Sequence, residues 1–174
     1  MEGSVLKTFV PGGEEHRINR GPDRYRKATH PGRYGFTVIA ANGQPTLTWA
    51  LPSEYLSRLL LANRLFDDDV QLLGVTRESA GPVLVTSQPT VVGEGASRAE
   101  MVAFFERRAF RQLHGLEAGR RGALSFYRDL DQVAVFDAHP ANFLKDANGV
   151  ILPIDGVAVA ADDSLAPLLE ALAP

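Results

Sequence analysis

Apolar and polar positions along the first half of the chain follow a period of two, which predicts strands joined by turns. Residues 15–19 and 25–27 form two such stretches between Gly- and Pro-containing turns. The runs FTVIA and TLTWA flank an Asn-Gly pair and predict a hairpin. The runs VQLLGV and PVLVTSQP predict two more strands around a turn at residues 78–81.

Other apolar residues recur at helical spacing and predict three helices. The first begins at Ser53 and ends at residues 67–69, three aspartates that we expect to form a solvated loop. The second begins with a capping-box pattern, Ser97 to Glu100. Its expected buried face comprises Met101, Val102, Phe104, Phe105, Ala109, Phe110 and Leu113. The segment HGLEAGRRGA is interpreted as a loop or a frayed helix end, and the tail from residue 162 as a short helix. Local antiparallel strands with helices between them predict an α+β fold.

Composition narrows the possible classes of protein. The 174 residues favour a single domain spanning residues 1–174, and 45% of them are hydrophobic. The chain has no cysteine, which excludes a disulfide framework and Cys-ligated zinc. Its net charge of −3 provides no basic field, so we expect no nucleic-acid partner. No apolar run reaches the roughly 18 residues of a membrane helix, and no signal-peptide core is present, so we expect no membrane partner and a cytoplasmic location.

Polar residues that can carry chemistry concentrate in VAVFDAHPANFLKDANGVILPIDG, residues 133–156. A short strand leads into the DAHPAN loop, and FLKD and VILPID form a hairpin around an Asn-Gly turn. The hairpin can return Asp155 to a position beside Asn142. Carboxylate and amide oxygens suit Mg²⁺, and Asp137 is then left to face an attacking hydroxyl. This grouping is the one that phosphoryl transfer uses.

These residues resemble the catalytic loop and metal-binding strand of protein-kinase-like phosphotransferases, in the D-x-H-P-x-N form of aminoglycoside and choline kinase relatives. Over roughly residues 10–157 the chain is similar to the compact polyvalent protein kinase domains of phages and mobile elements. The resemblance implies a kinase-like α+β fold. Its strand-rich N-terminal lobe would span residues 1–89, with a hinge at about 86–89. A reduced C-terminal lobe with the catalytic loop and hairpin would span residues 90–174.

The resemblance also implies the roles of residues in the catalytic loop and the hairpin. Asp137 matches the catalytic Asp that positions the acceptor hydroxyl. His139 and Pro140 match residues that give the loop its shape. Asn142 and Asp155 match the two magnesium ligands. The implied cofactors are ATP and Mg²⁺, and the acceptor would be a hydroxyl of an unidentified protein or small molecule.

The implied nucleotide-binding residues lie in the first half of the chain. Lys27 matches the lysine that holds the α- and β-phosphates, and Glu54 is the candidate for its acidic partner. Glu54 could instead be an acid at a helix N-terminus, favoured there by the helix dipole. Gly12 and Gly13 would form a shortened glycine loop over the phosphates. The hinge, with Ser87 and Gln88, would bind adenine through its backbone.

Some features depart from the family pattern and keep other functions open. The glycine loop is not G-x-G-x-x-G, Val135 stands where a histidine is expected, and Gly156 follows Asp155 directly. A catalytically inactive module that binds nucleotide or protein, a pseudokinase, is therefore an alternative. Metal-dependent hydrolysis by Asp137 and Asp155 is a third hypothesis, although further ligands of the usual type are missing.

Overall fold

The structure is a computed structural model that describes residues 19–20 and 23–173. The strands and helices in this part of the chain are β1 (Asn19–Arg20), β2 (Arg24–Thr29), β3 (Phe36–Ala41), β4 (Gln44–Trp49), α1 (Pro52–Phe66), β5 (Gln71–Glu78), β6 (Gly81–Pro89), β7 (Glu94–Gly95), α2 (Arg98–Glu106), β8 (Arg111–Gln112), β9 (Leu124–Arg128), β10 (Val133–Ala138), β11 (Phe143–Lys145), β12 (Ile151–Pro153), β13 (Val157–Ala160) and α3 (Ala166–Glu170). The predicted strand at residues 15–19 lies outside the described residues, except for Asn19.

The strands form antiparallel sheets, and the α+β class is confirmed. One sheet has the order β1-β2-β6-β5, a second has the order β13-β10-β9-β8, and a third has the order β12-β11-β7. The pair β3–β4 is the predicted hairpin. Its turn residues Asn42 and Gly43 have φ angles of 52° and 71°, as a two-residue type I′ turn requires.

Helix α1 begins and ends with contacts that its sequence supplies. The backbone N–H of Leu51 donates to the Glu54 carboxylate at 2.6 Å. At the other end Asp67 adopts a left-handed φ of 57°, and its N–H bonds the Asn63 carbonyl. The Asn63 side chain exchanges two hydrogen bonds with the backbone of Val70, at 2.7 and 2.8 Å. These bonds fix the direction in which the chain enters β5.

Helix α2 is shorter than its apolar pattern predicts. The capping box at Ser97 is present, but the helix ends at Glu106. The chain then reverses at Ala109, whose φ is 61°, and the predicted helical positions Phe110 and Leu113 lie beyond the helix. Both side chains are still buried, because the turn returns them to the core. The prediction of a continuous helix was therefore wrong, although the burial of these two residues was correct. The expected burial of Ala109 was also wrong, because the turn leaves this residue exposed.

In the part of the chain that the structure describes, two large apolar clusters and one small cluster stabilise the fold. The first large cluster surrounds the stacked rings of Phe105 and Phe126, whose centroids are 4.0 Å apart. The second contains Tyr127 and Phe136 and includes Val38 of the β3–β4 hairpin. The small cluster joins α1 to the first sheet. The hairpin belongs to the expected N-terminal lobe but packs in the second cluster, so the division at residue 89 does not separate two cores.

Strands β9 and β13 were not predicted, and both pair with β10. They place β10 at an interior position of the second sheet, so its apolar residues are completely buried. Among the residues described, no helix has the length and apolar character needed to cross a bilayer.

Candidate active site

Asp137 lies at a bulge near the end of β10. Val135 of β10 pairs with Phe126 of the neighbouring strand β9, and Ala138 pairs with Leu124. The segment of β10 between these pairs therefore contains one residue more than the matching segment of β9. Asp137 has a φ of 58°, in the left-handed region that aspartate tolerates better than most residues. A bulge turns a side chain away from the regular alternation of a strand. The local structure therefore directs the Asp137 carboxylate out of the sheet.

The Asp137 carboxylate is held by several hydrogen bonds. Its Oδ1 accepts the backbone N–H of Arg120 at 2.6 Å, and its Oδ2 accepts Nδ2 of Asn142 at 3.2 Å. The same Asn142 nitrogen donates to the Asp137 carbonyl at 3.0 Å. The Asp137 N–H donates to the Ala118 carbonyl at 3.2 Å. Nε2 of His139 lies 3.6 Å from Oδ1. The carboxylate orientation is therefore defined from three directions.

Burial dominates the electrostatics of this group. It raises the pKa of Asp137, and the charge of Asp155 adds to that effect. The Arg120 N–H and the charge of His139 act in the opposite direction. Burial also lowers the pKa of His139, although the Asp137 charge opposes the shift. The imidazole is consequently less basic than an ordinary histidine.

His139 organises the loop through its backbone and its ring. Its carbonyl accepts the N–H groups of Asn142 and Phe143 at 2.8 and 3.2 Å. Its Nδ1 accepts the N–H of Ala141 at 3.2 Å. These bonds tighten the turn that carries Asn142 back towards Asp137, which is the geometry expected of a residue that gives the loop its shape.

Two glycines of the segment before α2 allow this loop to lie against β7. A Cβ built on Gly95 would lie 2.7 Å from the Pro140 carbonyl oxygen, and one on Gly93 would overlap the Lys145 carbonyl. No side chain fits at either position without moving the loop or β11. In the sequence these glycines had no assigned role, because close approach to another backbone leaves no local signal.

Lys27 and Asp155 are brought together from distant parts of the chain. The Lys27 Nζ lies 3.9 Å from Asp155 Oδ2. The preceding residue, Ile154, donates its N–H to the Asn142 carbonyl at 2.8 Å. The Ile154 carbonyl accepts the Gln88 side chain at 3.4 Å. Thus the hairpin returns Asp155 to the loop that contains Asn142. Strand β2 contributes the basic residue Lys27, and β6 contributes the hydrogen bond from Gln88.

The segment expected to be a hinge is the last part of β6. Ser87 pairs with Gln71, the first residue of β5, and its hydroxyl accepts Nε of Arg24 at 2.9 Å. The backbone of Ser87 therefore lies inside the sheet, between two neighbouring strands. Gln88 and Pro89 extend past the start of β5. Of the expected hinge residues, only these two lie beyond the pairing with β5.

The expected contact between Glu54 and Lys27 is not formed in the structure. The Glu54 carboxylate binds the N–H of Leu51, and Lys27 forms its ion pair with Asp155. The expected pair between Glu54 and Lys27 is absent from the ion pairs of the described part of the chain. The geometry of Glu54 is that of the helix N-terminal acid. Gly12 and Gly13, expected to form the glycine loop, lie outside the described residues.

Asp68 is an acidic neighbour of this site that the sequence did not reveal. It was expected in a solvated loop, but it is half-buried. Burial raises its pKa to about 6, with a further contribution from the charge of Asp155. Burial also raises the pKa of Tyr25, and Asp155 and Asp68 add to the shift. The adjacent Asp69 forms an ion pair with Arg24, which fixes the segment against β2.

Asn142 and Asp155 are the oxygen donors that fit a magnesium ion. The Asn142 nitrogen donates to Asp137, so its Oδ1 remains an acceptor. The Asp155 side chain is 43% exposed and can bind an ion that keeps several waters. Among the described residues, no group of three or more His, Asp and Glu side chains is arranged to hold a metal. A magnesium ion would therefore need its remaining ligands from water and substrate.

A separate cavity of about 230 Å³ lies at the base of the loop that contacts Asp137. Residues that line it include Gln112, His114, Glu117 and Ser125. None of the site residues predicted from the sequence lines this cavity. The residues that the sequence predicts to carry the chemistry, including Asp137 and Asp155, therefore lie outside this cavity.

Comparison with protein-family models, curated proteins and solved structures finds no match. The functional interpretation therefore rests on the contacts of this chain. Those contacts bring Asp137 and Asn142 together in one loop, and Lys27 and Asp155 together beside it.

Proposed function

We propose that this protein is a kinase-like phosphotransferase, which binds ATP with Mg²⁺ and transfers the γ-phosphoryl group to a hydroxyl of a protein or small molecule. The observation that carries the proposal is the distance of 3.9 Å between Lys27 Nζ and Asp155 Oδ2. It places a strand lysine beside a carboxylate whose neighbour, Ile154, is bonded to Asn142. Protein kinases use a strand lysine for the phosphates, and an Asp and a catalytic-loop Asn for the metal.

The order of elements around Lys27 also supports the proposal. Strand β2 carries Lys27, helix α1 follows later in the chain, and β5 and β6 complete the same sheet. The catalytic-loop candidate and the β11–β12 hairpin come afterwards, and the hairpin leads to Asp155. This is the arrangement that the resemblance to kinase-like domains implies for a lysine strand, a helix and a catalytic loop.

Each site residue has a role that its contacts support. The Lys27 ammonium would bind phosphate oxygens, and Asn142 and Asp155 would hold the ion. Bound Mg²⁺ would neutralise charge on the β- and γ-phosphates. Asp137 would orient the acceptor hydroxyl and accept its proton. Its raised pKa brings the carboxylate closer to the range that is effective for a general base at neutral pH.

Calorimetry with ATP and Mg²⁺ on the full chain tests the proposal. We expect binding by the unchanged protein and loss of the magnesium-dependent part in Asp155→Ala. Asp163→Ala is the matched control, because Asp163 is exposed in the turn before α3 and has no part in the site. Absence of binding heat in a protein whose folding is verified by circular dichroism would contradict the proposal.

A pseudokinase is the second candidate, and the position of Glu54 favours it. An active protein kinase requires an ion pair between its strand lysine and a helix glutamate. Here Glu54 binds the N–H of Leu51 instead. A single-turnover assay with labelled ATP separates the two candidates. Nucleotide binding with no phosphoryl transfer to protein, water or added hydroxyl compounds would support the pseudokinase.

A further inference from the structure

The loop between β8 and β9 contributes directly to the geometry of Asp137. Its Ala118 carbonyl accepts the Asp137 N–H, and its Arg120 N–H donates to Asp137 Oδ1. Both contacts use backbone atoms of the loop and link the β8–β9 connection to the end of β10. The sequence predicted only an irregular loop here, because backbone contacts do not depend on residue type.

Gly119, between these two contacts, has no room for a side chain. A Cβ at this position would overlap Oδ1 and Cγ of Asp137 and lie 2.6 Å from its Cβ. Its φ of +99° is also unfavourable for other residues. The Asp137 side chain therefore lies directly against the backbone of Gly119. Any side chain here has to displace either the loop or the carboxylate.

The loop is anchored on both sides of Gly119. Ala118 is completely buried, and the Ser125 hydroxyl donates to the Leu116 carbonyl at 3.3 Å. After Gly119, the Ala123 N–H closes a turn on the Arg120 carbonyl at 2.9 Å. With both flanks fixed, the loop can hold Asp137 in its left-handed conformation.

We propose that Ala118, Gly119 and Arg120 form a positioning element for Asp137, acting through the backbone and through the absence of a side chain at residue 119. The expected effect on turnover rests on the proposed phosphotransfer, whereas the expected effect on the position of the Asp137 carboxylate does not. A reacting group displaced by about 1 Å can lose roughly 10²-fold in rate. The element is expected to affect turnover and to leave the binding of ATP through Lys27 and Asp155 unchanged.

The test compares Gly119→Ala with Gly115→Ala in the full chain. Both glycines have a left-handed φ, +99° and +77°, so both substitutions strain the backbone. A Cβ at Gly115 meets no atom within 4 Å, so only the contact with Asp137 differs. In Gly119→Ala we expect turnover to fall by about 10²-fold with ATP affinity within twofold. Gly115→Ala should retain the turnover of the unchanged protein.

NMR of the Asn142 side-chain amide provides a readout that does not require activity. Its Nδ2 donates to Asp137 Oδ2 at 3.2 Å, so its resonance depends on the position of that carboxylate. If Gly119→Ala moves the carboxylate away, the Asn142 amide resonance should shift, and Gly115→Ala should leave it in place. An unchanged Asn142 resonance in folded Gly119→Ala would overturn the positioning role.

Arg120→Pro replaces the N–H donor with a ring carbon that points at Asp137 Oδ1, so it removes the hydrogen bond and displaces the carboxylate, and it serves if Gly119→Ala does not fold. Its control is Arg121→Pro, because Arg121 follows the first residue of the turn, where proline is favoured. We expect the shift of the Asn142 amide resonance in Arg120→Pro only, and equal resonances in the two variants would overturn the inference. If the unchanged protein binds no ATP, the proposed function fails, and the Asn142 resonance still decides the positioning role.

Discussion

The two sides of the candidate site are stabilised in different ways. On one side, the Asp137 carboxylate and the Asn142 amide belong to a network of hydrogen bonds that includes the backbone of the β8–β9 loop. On the other, Lys27 and Asp155 share one ion pair of 3.9 Å, and a second carboxylate, Asp68, lies nearby. The first side is organised by the protein alone, whereas the second contains more negative than positive charge.

This difference indicates what each side requires from a ligand. Preorganised hydrogen bonds lower the reorganisation needed at a reacting group, so the Asp137 side is suited to chemistry without further change. On the other side, Asp155 raises the pKa of Asp68, so the acidic pair is destabilised while it stays charged. A bound cation would relieve that repulsion. The comparison is consistent with the proposed general base on one side and the proposed metal-binding position on the other.

The largest expected effect comes from removing the organised carboxylate. Asp137→Ala should lower phosphotransfer by about 10³-fold, since positioned general bases contribute 10²- to 10⁴-fold. Affinity for ATP should stay close to that of the unchanged protein, because Lys27 and Asp155 are retained. Single-turnover rates and calorimetry on the same preparation measure both quantities. Retained turnover would remove Asp137 from the reaction.

A smaller effect is expected from disturbing the packing behind the organised side. Gly95→Ala should lower the free energy of unfolding by about 3 kcal/mol, because its Cβ would lie 2.7 Å from the Pro140 carbonyl oxygen. Gly74→Ala on β5 is the control, since a Cβ there meets no atom within 4 Å. Urea unfolding of both variants gives the comparison. Equal stabilities would show that the loop adjusts without cost.

The smallest effect concerns the acidic side and depends on pH. The pKa of Asp68 is about 6 in the folded protein, above its ordinary value of 3.8. The folded state therefore binds more protons between these values, and stability falls as the pH rises through this range. Asp68→Asn removes the penalty, so it should stabilise the protein by on the order of 2 kcal/mol at pH 7.5 and have little effect at pH 4.

Urea unfolding at the two pH values, with a chelator present, measures this difference. The chelator matters because a bound cation near Asp155 would itself lower the pKa of Asp68. Stabilisation of the same size at both pH values would mean that the charge of Asp68 is not the cause. The expected charge imbalance on this side would then be absent.

Local signals explain which parts of the structure could be predicted. The Asn42–Gly43 turn and the Ser97 capping box depend on residues close in sequence, and both were predicted correctly. The end of α2 was not, because the apolar pattern continues to Leu113 while the chain turns at Ala109. Strands β9 and β13 also depend on pairing with β10, which no short segment reveals.

The same distinction applies to the candidate site. Asp137, Asn142 and Asp155 carry a recognisable motif, so their proximity could be expected from the hairpin that separates them. The contact of Gly119 with Asp137 could not, because it joins the β8–β9 loop to the end of β10 at a residue that has no side chain. Asp68 is one of three successive aspartates, and the sequence does not show which of them the fold buries.

The β3–β4 hairpin has a consequence for the order in which the chain can fold during synthesis. Its two strands are adjacent in sequence and can pair early, as hairpins do within microseconds. Yet Val38 becomes buried only against residues such as Phe136 and Leu169, which leave the ribosome much later. Until then the apolar face of the hairpin stays uncovered. This cluster can therefore be completed only after residues as late as Leu169 have been synthesised, a delay that favours contact with chaperones.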